Sequence, residues 1–321
     1  MANIKFSAFN VETDPTQIDA LVGYQGTTMK QISPSNLGGY PFSIETDSLY
    51  SGFVPSGLSG APQDNTILGI RAGNSLTTGS ANTLIGVDAG AAMTNVANSV
   101  VVGADAYKNN SAGYVTAIGH QAGVNGAGQF STFVGASAGF SSSANYQVAI
   151  GYEAQNSGGG GTGSVAVGRT ANKSNTADYA VSIGYEAGYS NTSGIGNTNL
   201  GYQAGYTNTT SHGNTNIGYQ ANLDGTGSFN TTVGHLAGEN LIAGANNTLI
   251  GKGAGDALTT GDNNIVIGYE AAASAVGVDN EITFGDANIT ALRIPGLQSG
   301  ASDGDVLTFS SGTGVITLQA G

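Results

Sequence analysis

A glycine returns every 16 or 17 residues through the middle of this chain, at Gly69, Gly86, Gly103, Gly119, Gly135, Gly151, Gly168, Gly184, Gly201, Gly218, Gly234, Gly251, Gly268 and Gly285. A period of that size over fourteen copies marks a solenoid, because one such unit is too small to bury its own apolar face and must stack on its neighbours. The stretch Asn197-Thr198-Asn199-Leu200-Gly201-Tyr202-Gln203-Ala204-Gly205 and its successor Asn214-Thr215-Asn216-Ile217-Gly218-Tyr219-Gln220-Ala221 are close to one object written twice. The period also reinterprets the composition. A chain of 321 residues with 53 glycines and 9% charged residues reads as low complexity on composition alone. With the period, glycine sits at fixed corners and the chain reads as a folded repeat.

Columns counted from the anchor glycine carry the physics. The preceding residue is always apolar, from Leu68 and Ile85 to Ile267 and Phe284, and three before the anchor stands a β-branched residue every time, such as Thr66, Val100 or Ile265. Two positions apart and strand-favouring, these columns fit one face of a short β-strand and are expected to face the core. The residue between them varies from Ala117 to Phe133 to Asn216, so it is expected to face something less uniform. Three after the anchor comes Ala in thirteen of fourteen units, only Asn288 departing, which implies a backbone approach too close for a larger side chain. Six or seven polar residues follow as outward turns. Each unit is thus expected to contribute two short strands and two turns.

Units stacked in register, about 4.8 Å apart, give a rod roughly 65 Å long. Asn four before the anchor (Asn65, Asn82, Asn197, Asn214, Asn230, Asn247, Asn264) suggests a partial amide ladder. A coil this small has a thin core, and self-association about the long axis is the natural remedy for the apolar surface left over. The expected fold class is all-β: a parallel β-roll or β-solenoid of about fourteen coils, trimeric, with small β-hairpins at both ends.

Four segments follow. Residues 1–40 form an N-terminal docking segment in which Gln25-Gly26-Thr27-Thr28 reads as the turn of a small hairpin. Residues 41–63, with Pro41, Pro55 and Pro62, have a linker composition; residues 64–290 are the repeat; residues 291–321 hold a second hairpin signal, Asp305 to Phe309 and Val315 to Leu318 about Ser310-Ser311-Gly312-Thr313-Gly314. A formal net charge of −13 argues against nucleic acid, whose phosphates need Lys and Arg. The absence of Cys excludes disulfides and thiolate metal sites. Met1 to Asp14 carries no apolar signal-peptide core, and no stretch approaches the roughly 20 apolar residues of a membrane span, so neither secretion by signal peptide nor membrane insertion is expected.

The units Asn82-Thr83-Leu84-Ile85-Gly86-Val87-Asp88-Ala89-Gly90 and Ser164-Val165-Ala166-Val167-Gly168 resemble the head repeat of YadA-type trimeric adhesins. The resemblance covers about residues 64 to 290 and implies a left-handed parallel β-roll with three chains side by side. Units here are longer than that family's usual coil, and a secretion signal, a heptad stalk and a membrane anchor are missing. Similar repeats occur in bacteriophage tail fibres. Lys5-Phe6-Ser7-Ala8-Phe9, Leu21-Val22-Gly23-Tyr24 and Ile32 to Leu37 resemble the N-terminal segment of marine-phage fibre proteins, and Ile289 to Leu297 with Asp303 to Thr308 resemble phage fibre C-terminal segments.

Few residues offer chemistry. His120 and His235 share the column after the anchor but lie seven coils apart, roughly 34 Å at the strand spacing, and His212 stands elsewhere; no metal site, cofactor site or catalytic residue is expected from them. Glu153, Glu186 and Glu270 lie two after their anchors, with Gln121, Gln203 and Thr170 in the same column. Asp88 and Asp105 fall there in neighbouring coils and could approach the ~5–9 Å carboxylate separation of a glycosidase, although a solvated polar face explains them more simply. Gly158-Gly159-Gly160-Gly161-Thr162-Gly163 lacks the Lys-Ser/Thr ending of a phosphate loop. No Asp column matches the calcium-binding nonapeptide rolls, and Thr alternating with Val100, Val148 and Val181 departs from the paired outward Thr ranks of an ice-binding surface. Tyr185, Tyr202 and Tyr219, joined by Tyr189 and Tyr206, form an aromatic ladder that either stacks on sugars or packs on itself.

The expected function is therefore a homotrimeric structural fibre of a phage virion rather than an enzyme. It would be made in the host cytoplasm, docked through its N-terminal segment to a baseplate, tail or preceding fibre protein, and would present a contact surface to a host glycan or protein. The alternatives are a subunit of a head-to-tail extracellular filament, a cell-surface adhesin and, lower in rank, a glycan-cleaving tailspike.

Overall fold

The computed structural model describes residues 64–126 and 128–292, together with six strands outside them. In chain order the strands are β1 (Tyr24–Gln25), β2 (Thr28–Met29), β3 (Phe42–Glu45), β4 (Ser48–Gly52), β5 (Thr66–Gly69), β6 (Thr83–Ile85), β7 (Val100–Val102), β8 (Thr116–Ile118), β9 (Thr132–Val134), β10 (Val148–Ile150), β11 (Val165–Val167), β12 (Val181–Ile183), β13 (Thr198–Leu200), β14 (Thr215–Ile217), β15 (Thr231–Val233), β16 (Thr248–Ile250), β17 (Ile265–Ile267), β18 (Ile282–Phe284), β19 (Val306–Ser310) and β20 (Val315–Gln319). Strands β3 to β18 form one sixteen-stranded sheet in sequence order. From β4 to β18 every pairing is parallel and columns align, Thr198 beside Thr215 and Leu200 beside Ile217; β3 joins β4 antiparallel. Two separate antiparallel pairs, β1 with β2 and β19 with β20, complete the described strands.

Each repeat therefore contributes one strand, not two. The remainder of the coil is built from tight turns. The anchor carbonyl accepts a hydrogen bond from the Ala three residues on (Ala72 N–H to Gly69 O, 3.3 Å), and the residue two after the anchor is left-handed even where it has a side chain, as in Asp88 (φ 56°) and Gln203 (φ 51°). That conformation costs an L residue roughly 1–2 kcal/mol. It is held because both neighbouring coils bond to the turn: Asp88 N–H donates to Ile70 O at 2.9 Å in the coil before, and Gly90 N–H to Ala106 O at 2.9 Å in the coil after.

The anchor glycine is required twice over. Its φ, +136° at Gly103 and +142° at Gly201, belongs to a region that side chains rarely enter, and a Cβ on Gly201 would overlap the backbone of Gly218 in the next coil. The Ala column is buried throughout, from Ala72 to Ala271, as close backbone approach demands.

The strand faces are the reverse of the sequence expectation. The column before the anchor points outward and stays half exposed, Leu68 at 45% and Leu200 at 43%, whereas the variable column between is sealed inside: Ile67, Leu84, Val101, Phe133, Asn199, Asn216 and Val266. The variation has a packing cause. The lumen is filled jointly by that column and by residues four and seven after the anchor, which trade volume. Phe133 occupies the space that a side chain on Gly123 or Gly139 would need, and Leu84 and Met93 do the same against Gly90. The interior also changes character along the rod. One apolar cluster runs from Ile67 to Ala171 and another from Leu241 to Ala273. Between them the core is polar.

Candidate functional site

The Asn column forms a clamp between coils. Asn214 N–H donates to Asn197 Oδ1 at 2.9 Å, Asn230 N–H to Asn214 Oδ1 at 2.8 Å and Asn247 N–H to Asn230 Oδ1 at 2.9 Å. Each amide nitrogen then reaches a turn carbonyl of the following coil, Asn214 Nδ2 to Gly227 O at 2.9 Å and Asn230 Nδ2 to Gly244 O at 2.8 Å. One buried side chain thus satisfies a donor and an acceptor of the next coil. Where the column holds Ser, the hydroxyl does part of this, Ser131 Oγ accepting Gln147 N–H at 3.1 Å.

Inside the middle coils runs a hydrogen-bond chain whose donors all face the same way. Thr232 Oγ1 donates to Asn216 Oδ1 (3.0 Å), Asn216 Nδ2 to Asn199 Oδ1 (2.8 Å), Asn199 Nδ2 to Ser182 Oγ (3.2 Å) and Ser182 Oγ to Asn172 Oδ1 (2.8 Å). The only sequence signal for this network was Asn replacing an apolar residue in the inward column, and it was legible only once that column's direction was known.

On the outside, the column two after the anchor is a rank of ion pairs. Arg71 Nη2 donates to Asp88 Oδ2 at 2.7 Å, and Lys108 Nζ bonds Asp88 at 3.1 Å and Asp105 at 2.9 Å. The two aspartates are indeed brought together, yet around a shared ammonium. Arg71 and Lys108 hold the Asp88 carboxyl below its ordinary range, so it stays ionised where a glycosidase acid must be protonated. Glu153 is lowered in the same way by Lys173 at 3.0 Å, and Glu270 by Lys252 at 2.7 Å. Gln203 Nε2 donates to Glu186 Oε2 at 2.9 Å, and Gln220 Nε2 to Gln203 Oε1 at 2.8 Å, a part-buried ladder of side chains.

The aromatic column packs on itself. Tyr185, Tyr202, Tyr219 and His235 stack at 5.2, 5.1 and 4.9 Å between ring centroids, nearly parallel, and Arg169 caps Tyr185 at 5.1 Å. Both faces of Tyr185, Tyr202 and Tyr219 are therefore taken within the chain, which disfavours stacking of a sugar on these three rings. Tyr189 and Tyr206 stack likewise at 5.1 Å. His120 is exposed, and His212 Nδ1 accepts Ile195 N–H of the preceding coil at 3.0 Å. Among the described residues, no three His, Cys, Asp or Glu side chains come together to hold a metal ion. The glycine run at 158–163 is a packed turn: a Cβ on Gly158 or Gly161 would strike the backbone of Asn175 or Ala177 in the next coil.

What remains as a candidate interaction surface is the outer strand face. Its β-branched and aliphatic columns run the full length of the repeat, with aromatic columns beyond each end of the strand: Tyr114, Phe130, Tyr146, Tyr179 and Phe229 on one flank, and Tyr152, Tyr185, Tyr202, Tyr219 and Tyr269 on the other. Comparisons of the chain with protein-family models, with curated proteins and with solved structures yield no match in any of the three.

Proposed function

We propose that the chain is a structural fibre protein of a phage virion, three copies lying side by side and presenting their turns or tip to a host surface. The observation that carries this reading is the unbroken outward stripe of Leu, Ile and Val, closed by Phe284, before each of the fourteen anchor glycines, partly to half exposed in the single chain. Soluble monomers rarely leave an apolar surface of that extent open. The phage assignment draws on the resemblance of both chain ends to phage fibre segments, and the N-terminal segment is the proposed attachment to the particle. The bridged, ionised state of Asp88, Glu153 and Glu270 supports a structural role over glycan cleavage.

Sedimentation equilibrium of the purified protein tests the assembly: a concentration-independent trimer supports it, and a stable monomer overturns it. A head-to-tail filament is the second reading, favoured by the last strand. Ile282 and Phe284 are 62% and 61% exposed, and among the described strands β18 ends its sheet. Long polymers that grow with concentration would select the filament.

A further inference from the structure

We propose that the copies meet through a heterologous seam, in which the aromatic column preceding the strand in one chain lies against the column following the anchor glycine in the next chain, at the same coil level. This rests on the trimeric reading and adds which side chains meet.

The starting observation is conformational. Tyr146, Tyr179 and Phe229 stand five before their anchors with φ of 59°, 59° and 61°, the left-handed region in which a bulky residue is an outlier. Their own coils do not need the bulk, since the same position holds Gly163, Gly196 and Ala81 elsewhere. Each has one neighbour in the coil before, Tyr146 stacking on Phe130 at 5.3 Å and Tyr179 and Phe229 lying over Gly163 and Gly213, yet all three stay open to solvent, Tyr179 and Phe229 at 63% and 62%. Large rings kept in a strained conformation and turned to solvent point to a partner outside the chain.

Period and area say that the partner is another copy. A ligand covering this face must match a repeat of about 4.8 Å along roughly 65 Å, which a second solenoid of the same sequence does at every level. The face between the two flanks is about 20 Å wide at strand rise, so each chain has on the order of 1,000 Å² to bury against its two neighbours together, on the scale of the ~800 Å² that one partner buries in a stable interface.

Symmetry then fixes the pairing. Closing a ring of parallel copies is a rotation about the rod axis, which brings one flank of a chain onto the other flank of its neighbour without changing height. An antiparallel two-fold, its axis lying across the rod, instead brings like columns together. Within one chain the flanks are six residues apart across an extended strand, about 20 Å, and cannot touch.

The chain has no Cys, so the seam can be read by cross-linking. The double variant Tyr179→Cys/Tyr185→Cys, treated with the short cross-linker bis-maleimidoethane, is expected to give covalent trimers on a denaturing gel. Each single variant is expected to give none, and so is Tyr179→Cys/Tyr219→Cys, whose sites lie two coils apart. Asn246→Cys/Lys252→Cys repeats the test at a second level with no aromatic removed, in case the first pair does not fold. Dimers from the single variants would overturn the seam in favour of an antiparallel two-fold contact, and dimers as the end product of the double variant would overturn the three-fold ring. Sedimenting trimers that fail to cross-link at both levels would overturn the seam and leave the trimer standing, whereas monomers would overturn the trimer itself.

Discussion

A methyl group on Gly201 would sit 2.1 Å from the carbonyl oxygen of Gly218, one coil further along. At φ +142° the backbone there also belongs to glycine. Gly201→Ala is therefore expected to cost at least about 3 kcal/mol, from backbone strain of ~1–3 kcal/mol with steric overlap added. Hydrogen exchange should show coils around β13 and β14 losing protection first. Gly196→Ala is the control: nothing lies within 4 Å of its Cβ position, and φ is +69°. It should cost only about 1 kcal/mol.

The Asn clamp makes a second prediction. Asn214→Ala leaves the buried Asn230 N–H and Gly227 carbonyl without their partners. At ~1–3 kcal/mol for each of the two unsatisfied groups, the loss should be about 2–6 kcal/mol by denaturant titration. Asn214→Ser should recover part of it, as Ser131 does at the equivalent place. Equal losses for Ala and Ser would count against the clamp.

The polar interior should behave as a coupled unit. Replacing Asn199 alone by Leu removes the acceptor of Asn216 Nδ2 and leaves that donor buried. Replacing both by Leu removes the mismatch between them. The double variant should thus be less destabilised than the sum of the singles, with a coupling of about 1–2 kcal/mol. Simple additivity in the cycle would refute the continuous chain.

The Arg71–Asp88–Lys108 cluster predicts a pH window. The folded-state pKa of Asp88 is lowered, so its contribution is present above the unfolded value and lost as pH falls through the folded one. The stability difference between the native chain and Asp88→Asn should be constant above pH ~5 and shrink below pH ~4, where an unfolded Asp with pKa near 3.9 protonates. A difference that persists unchanged at pH 2–3 would show that the carboxylate charge is not what matters.

Much of this architecture could be read from residues alone, because a stacked coil repeats its constraints. The anchor glycine and the Ala column each answer to one backbone approach that is the same in every unit, so both show as near-uniform columns, while the Asn clamp, which Ser can partly replace, shows as a partial one. The direction of the strand did not. Uniformity suggests burial, but the near-uniform Leu, Ile and Val column lies outside, while the lumen is uniform only in total volume. Phe133 beside Gly123 and Asn199 beside Gly205 are two ways of filling the same space, so no single inward column looks like a core. The single strand per coil was missed for a related reason: turns held by bonds to both neighbouring coils tolerate left-handed residues such as Gln203 that an isolated turn would not favour.

Each coil bonds only to the coils on either side of it, so an extra unit of 16 or 17 residues can be spliced in without redesigning anything distant. The near-identity of the Asn197 and Asn214 units is what such a duplication leaves behind. The number of glycine corners then acts as a ruler written in the gene, each added unit extending the reach of the shaft by one strand spacing.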